Sequence, residues 1–270
     1  MRQRVLSALL MVPLIIFVYA GGIALTITAF LIAGVAVTEL INGLHHIGVR
    51  ASKAVALACL TFLYTAGGIM IASERALTLD FADLFMMWLF VSCASALFMI
   101  LINEDHDIYG SAATLLCVVY IGYFSYHAVL LDRLPQGGAF IWLALIAAFC
   151  TDIFAFLVGT RFGKHKLSPS LSPHKSVEGA LGGLAGSIAC CAIVGYMMNP
   201  GLLLHSAIIG FVGSLAAQSG DLIASALKRK MQIKDFGTLI PGHGGVLDRF
   251  DSVMLALPAV YYYALLAIPS

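Results

Sequence analysis

Nine apolar runs, each about the length of helix that crosses a bilayer core, leave this chain few ways to fold. They fall at approximately 5–20, 22–42, 53–72, 81–102, 110–131, 138–159, 178–197, 201–227 and 250–268. Hydrocarbon offers backbone N–H and C=O groups no water, so a spanning segment must be a helix or part of a closed barrel. The runs are long and lack the two-residue alternation of barrel strands, which selects helices. Turn residues punctuate them, with Gly21-Gly22 after the first run and Asn199-Pro200-Gly201 after the seventh. The chain is 61% hydrophobic and 11% charged, too few polar side chains to cover a water-soluble surface. The expected fold is therefore all-α: a polytopic integral membrane protein of about nine transmembrane helices.

The first run follows Arg2 and Arg4 and also has the layout of a secretory signal with a cut near Ala20; it is read here as a retained helix. The six cysteines all lie inside apolar runs without metal-ligand spacing, as small buried hydrophobes do. Lys and Arg set the orientation. With nine spans, thirteen of the fifteen basic residues share the side of the N-terminus, and only Arg75 and Arg133 lie opposite. The basic side is expected to be cytoplasmic, which puts the N-terminus inside. A bacterial inner (cytoplasmic) membrane is the expected location, with the functional face toward the cytoplasm. A net charge of +1 gives no ground for a nucleic-acid partner, and none is expected.

Two segments on the basic side carry the chemistry. The first, Arg161 to Gly179, reads RFGKHKLSPSLSPHKSVEG. Its Ser-Pro pairs favour an extended backbone. Ser176 stands where the seventh helix begins, beside Lys175, and a helix N-terminus with a hydroxyl and a lysine suits a phosphate. The plainer reading is a positive anchor loop with Ser176 as N-cap. The second segment, Ser225 to Asp251, reads SALKRKMQIKDFGTLIPGHGGVLDRFD. It joins basic Lys228, Arg229, Lys230 and Lys234 to the flexible Pro241-Gly242-His243-Gly244-Gly245, where backbone can approach a bulky anion. Asp248 and Asp251 follow at helical i, i+3 spacing with Arg249 between them.

Asp221 and Asp152 lie inside apolar runs, where an ionised carboxylate is costly and usually marks function. Oxygen ligands from Asp221 and Asp248 would suit Mg²⁺, and the bases would neutralise a polyphosphate. A salt-bridged interfacial collar is the competing reading. Glu39, near the end of the second run, is read as a helix-end acid paired with a local base. Asp83 and Glu104 to Asp107 are read as facing water, and His45, His46, His127 and His205 as interfacial or packed.

The second segment, from Ser225 through Leu227-Lys228-Arg229, Lys234-Asp235, Gly237, Ile240-Pro241 and His243-Gly244-Gly245-Val246 to Asp248-Arg249-Phe250-Asp251, resembles the signature of the phosphatidate cytidylyltransferases (CDP-diacylglycerol synthases). Asp152, Ala155, Gly159, Phe162-Gly163-Lys164 and Ser172-Pro173-x-Lys175-Ser176-x-Glu178-Gly179 are similar to that family's second block, with Phe156 departing from a frequent Tyr. The two blocks cover about a quarter of the chain. The resemblance implies variable N-terminal helices over 1–137 and a catalytic region over 138–270 with loops 160–178 and 228–250. It implies a reaction of CTP with phosphatidic acid that gives CDP-diacylglycerol and pyrophosphate, with Mg²⁺ on Asp221 and Asp248, and with a monovalent cation such as K⁺ in some members. Catalytic roles go to Asp221, Asp248, Lys175 and Arg249. Substrate contacts go to Asp152, Ser176, Ser225, Lys228, Arg229, Lys234, Asp235, His243, Gly244, Gly245 and Asp251. Membrane lipid and a second copy of the chain, as a homodimer, are the implied partners.

Two other classes stay open at this level. An ion-coupled secondary transporter would use Asp152 and Asp221 but would favour broken helices in two related halves. A noncatalytic scaffold with a polybasic rim would leave Asp221 and Asp248 without a task.

Overall fold

The computed structural model describes residues 16–72, 80–102, 107–169, 171–239 and 244–268. Its helices are α1 (Gly22–His46), α2 (Lys53–Ala72), α3 (Phe81–Ile102), α4 (Ile108–Cys117), α5 (Phe124–Arg133), α6 (Gly137–Phe162), α7 (Val177–Met198), α8 (Leu203–Lys230) and α9 (Leu247–Ala267). A π-helical turn, Val118–Tyr123, joins α4 to α5, so that Ile108–Arg133 forms one span. Eight helices among the described residues are long and apolar enough to cross a membrane. They correspond one to one with the second through ninth expected runs. Residues 5–15 of the first run lie outside the described residues.

Polar residues extend two of the helices past their apolar runs. Helix α8 continues through Lys228, Arg229 and Lys230, bases that favour the partial negative charge of a helix C-terminus. Helix α9 starts at Leu247, which brings Asp248 into its first turn, where an acid favours the opposite pole. The Ser-Pro segment is extended, as expected, and pairs with itself. Strands β1 (Lys166–Ser168) and β2 (Ser172–Ser176) form an antiparallel ribbon with Lys166 opposite Ser176 and Ser168 opposite Ser172.

The described chain divides into two compact units. One takes the residues up to Val129 together with Met231–Arg249; the other takes Leu130–Lys230 and the residues from Phe250 onward. In the first unit, the start of α2 is tied to α4, and the end of α1 packs on the α8–α9 connection. Ser52 N–H donates to Thr114 Oγ1 at 2.9 Å, and Gly43 lies against Met231 and Ile233 of the α8–α9 connection. Asp107 caps α4 by accepting from Gly110 N–H at 2.7 Å.

The second unit is built on a close crossing of α6 with α7. Lipid gives apolar helices no hydrophobic reason to associate, so small residues that let backbones approach drive the contact. A Cβ at Gly179 would stand 2.8 Å from Ala155 O, and one at Gly183, a turn later, 2.8 Å from Thr151 O. Neither oxygen belongs to a movable side chain. Gly183→Ala should therefore push α6 and α7 apart and cost about 1–3 kcal/mol, as overpacking typically does. A thermal melt in detergent showing no loss of stability would rule this out.

Candidate active site

The α6–α7 crossing and α8 enclose a cavity of about 610 Å³ in the second unit. Its wall takes Asp152 and Gly159 from α6, Ser172, His174, Lys175 and Ser176 from β2, and Gln218 and Asp221 from α8. The ribbon is fixed against α7 by one acid. Glu178 accepts from the backbone N–H of Lys164 at 3.0 Å and of His165 at 3.2 Å, and meets His165 Nδ1 at 2.6 Å. Ser176 is buried and caps α7, its Oγ accepting from Gly179 N–H at 3.1 Å. The N-cap reading of Ser176 is thus realised, at the edge of the cavity.

Carboxylates and bases gather here. Lys175 forms an ion pair with Asp221, and Ser225 Oγ lies 3.5 Å from Asp221 Oδ1. Ser252 Oγ donates to Asp152 Oδ2 at 3.1 Å. Asp251 is buried within electrostatic reach of Asp221, Lys228 and Asp152. Lys228 is half-buried and Arg229 exposed on the last turn of α8. The structure therefore brings Asp152, Lys175, Ser176, Asp221, Ser225, Lys228 and Asp251 into one neighbourhood.

The first unit holds the rest of the signature. Met231 and Phe236 are buried and anchor the connection, while Lys234 and Asp235 between them are exposed. Asp248 Oδ2 accepts from Phe236 N–H at 2.8 Å and from Gly245 N–H at 2.9 Å, folding the connection onto the start of α9. Gly244 has φ +85°, and a Cβ there would also stand 2.9 Å from Asp248 Oδ2, so the position requires glycine. Arg249 is half-buried on the first turn of α9. His243 lies outside the described residues. Asp221 and Asp248, expected to share a metal, belong to different units.

No three His, Cys, Asp or Glu side chains among the described residues form a ready-made metal cage. Magnesium does not need one, since one or two carboxylates, water and the substrate's own phosphates commonly complete its shell. Asp221, a carboxylate on the cavity wall beside Lys175, has the hard oxygen chemistry that such an ion takes.

The sequence model of the cytidylyltransferase family matches residues 2–267. The chain belongs to the cytidylyltransferase family. Among its relatives is the phosphatidate cytidylyltransferase of Bacillus subtilis (strain 168), 30% identical, with the match covering 97% of each chain. The proteins of the same name from Staphylococcus haemolyticus and Staphylococcus epidermidis are 31% and 33% identical, each match covering 96% of both chains.

Several residues of this cytidylyltransferase-family site escaped the sequence reading. Gln218 lines the cavity and donates to Ala180 O at 3.2 Å. A helical stripe of Ser214, Gln218, Asp221 and Ser225, spaced three or four residues apart in an apolar run, is the signal that finds it. His165 and Ser252 have no comparable signal, because their partners Glu178 and Asp152 are distant in sequence. Glu39 corrects an expectation. Its partners are not a base but the backbone N–H groups of Val246 and Leu247, each at 2.9 Å. A buried carboxylate can be satisfied by free amides at a helix start as well as by a cation.

Proposed function

We infer that this chain is a CTP:phosphatidate cytidylyltransferase, which joins CTP and phosphatidic acid into CDP-diacylglycerol and pyrophosphate for phospholipid synthesis. The observation that carries it is the cavity of the second unit, where Lys175, Asp221 and the capped start of α7 stand among apolar spans, in a chain of this family. A transporter needs no such gathering of bases and acids around a helix N-terminus.

An oxygen of the lipid phosphate attacks the α-phosphorus of CTP. The new P–O bond forms as the bond to the β-phosphoryl oxygen breaks, and pyrophosphate leaves with that electron pair. The attacking oxygen is already ionised near neutral pH, so no strong base is required of the protein. The problem is electrostatic, since two anions must meet and a third depart. Lys175, Lys228, Arg229 and Arg249 supply positive charge, and the first turn of α7 adds the positive pole of a helix. Ser176 and Ser225 offer hydroxyls for orientation, and Asp152 and Asp251 complete the acid cluster. Lys234, Asp235, His243, Gly244 and Gly245 are assigned to the nucleotide. When bound, Mg²⁺ would supply positive charge against the phosphates and the departing pyrophosphate. Asp221 and Asp248 are each proposed as oxygen ligands for Mg²⁺, and the family resemblance adds a monovalent cation such as K⁺.

A membrane-embedded acid suits a lipid substrate whose phosphate sits at the headgroup level while its chains stay in the bilayer. The thirteen-to-two distribution of bases supports a cytoplasmic site in a bacterial inner membrane. The resemblance also supports a homodimer, which light scattering of the detergent-solubilised protein would read. The direct test supplies purified protein with labelled CTP, phosphatidate and Mg²⁺. A lipid-soluble cytidine product and released pyrophosphate are expected; their absence across varied lipids and cations sinks the proposal.

A further inference from the structure

We propose that Glu39 of α1 is a positioning residue for the nucleotide, holding the connection between α8 and α9 in the shape that takes CTP. This rests on the cytidylyltransferase reading and adds to it a residue from the N-terminal helices, outside both signature blocks. Glu39 is only 6% exposed. Its Oε1 accepts from Val246 N–H and its Oε2 from Leu247 N–H, both at 2.9 Å, across more than 200 residues of sequence. The first N–H groups of a helix lack partners within it. A neighbouring side chain usually supplies the acceptor; here another membrane helix supplies it, so the start of α9 is registered against α1.

The glycines of the connection are shaped around the same carboxylate. A Cβ at Gly237 would stand 2.5 Å from Glu39 Oε1, and one at Gly245 would stand 2.6 Å from Glu39 Cδ. Gly245 reads from sequence as a place where backbone approaches a bulky anion. The anion it admits in the folded chain is the protein's own. Two carboxylates thus fix the connection: Asp248 ties Phe236 to Gly245 from within, and Glu39 pins Val246 and Leu247 from outside. Lys234 and Asp235, just ahead of the anchored Phe236, are left exposed. The connection lies between the spans and carries Lys234, Asp235, Gly244 and Gly245, which the proposed function gives to the nucleotide. Loss of the Glu39 anchor should therefore weaken use of CTP and spare use of the lipid.

The test measures KM for each substrate with the full chain in detergent. Glu39→Gln keeps the side-chain length but turns an NH₂ group toward one of the two amides. The CTP KM should rise about tenfold or more, the scale of a lost hydrogen bond to a charged group, with the phosphatidate KM unchanged. A merely structural fault would lower the yield of folded enzyme or kcat and leave the CTP KM alone, and that result overturns the proposal. Equal rises in both KM values overturn it too. Should Glu39→Gln not fold, Gly237→Ala decides: it leaves Glu39 in place, presses a methyl group on its carboxylate, and should give the same CTP-selective defect. A wild-type CTP KM in that variant overturns the proposal. Wild-type protein assayed alongside separates this from the reading it rests on, since no product from wild type refutes the reaction itself.

Discussion

Asp221→Asn removes turnover, by at least about 10²–10³-fold on the scale of losing one preorganised electrostatic contact in an active site, while the protein still folds. Both halves of that expectation come from the geometry. Asp221 lines the cavity and is paired with Lys175. Asn keeps the shape and loses the charge, so it can neither favour a cation beside the phosphates nor set the position of the Lys175 ammonium. The stability cost is small. Each side chain of the pair is 27% exposed, and ion pairs open to solvent contribute about 0–1 kcal/mol. The exchange Asp221→Lys with Lys175→Asp sharpens the test. A pair that only braces α8 against the ribbon would work in either direction, and activity would return. A pair that handles phosphate and metal would stay inactive in the exchanged enzyme. Near-normal turnover in Asp221→Asn, or recovery in the exchange, would remove Asp221 from the chemistry.

Asp248→Asn and Asp248→Ala should differ in stability and agree in activity. Asp248 Oδ2 accepts from two backbone N–H groups, those of Phe236 and Gly245. The amide oxygen of Asn can take that place and keep both bonds, so the connection retains its fold and only the charge is lost. Ala removes the acceptor and leaves two part-buried amides without it, at about 1–3 kcal/mol for each group left unsatisfied. Both variants should lose turnover by at least about 10²-fold if the charge of Asp248 acts on metal-bound phosphate. A thermal melt beside the cytidine-transfer assay separates the two roles. Full activity in Asp248→Asn with a destabilised, inactive Asp248→Ala would make Asp248 a structural anchor and nothing more.

The spans were legible because lipid imposes a single rule on every residue of a run. Seven turn-bounded segments from 53–72 onward, and the one starting at Gly22, reappear as helices within a few residues of the expected limits. The errors fall where polar residues continue a helix beyond its apolar stretch, at Lys228 to Lys230 and at Leu247 to Arg249. There a helix pole rewards charge, which hydropathy counts against a span. Acids inside apolar runs, Asp152 and Asp221, stood out as candidates because burying a charge is costly. The ribbon was legible as extended but not as paired, because pairing depends on how Ser-Pro residues across the turn align.

Sequence by itself determined that this chain is an all-helical membrane protein, and it singled out two polar connections and the acids and bases proposed for the chemistry. Those properties follow from local composition and spacing, which every residue carries with it. Tertiary structure decided the partners. It gave Asp221 to Lys175, Glu178 to the ribbon, Asp248 to the backbone of its own connection, and Glu39 to the start of α9. A carboxylate accepts equally well from an ammonium, a hydroxyl or a backbone amide, and only the packing of distant helices selects among them.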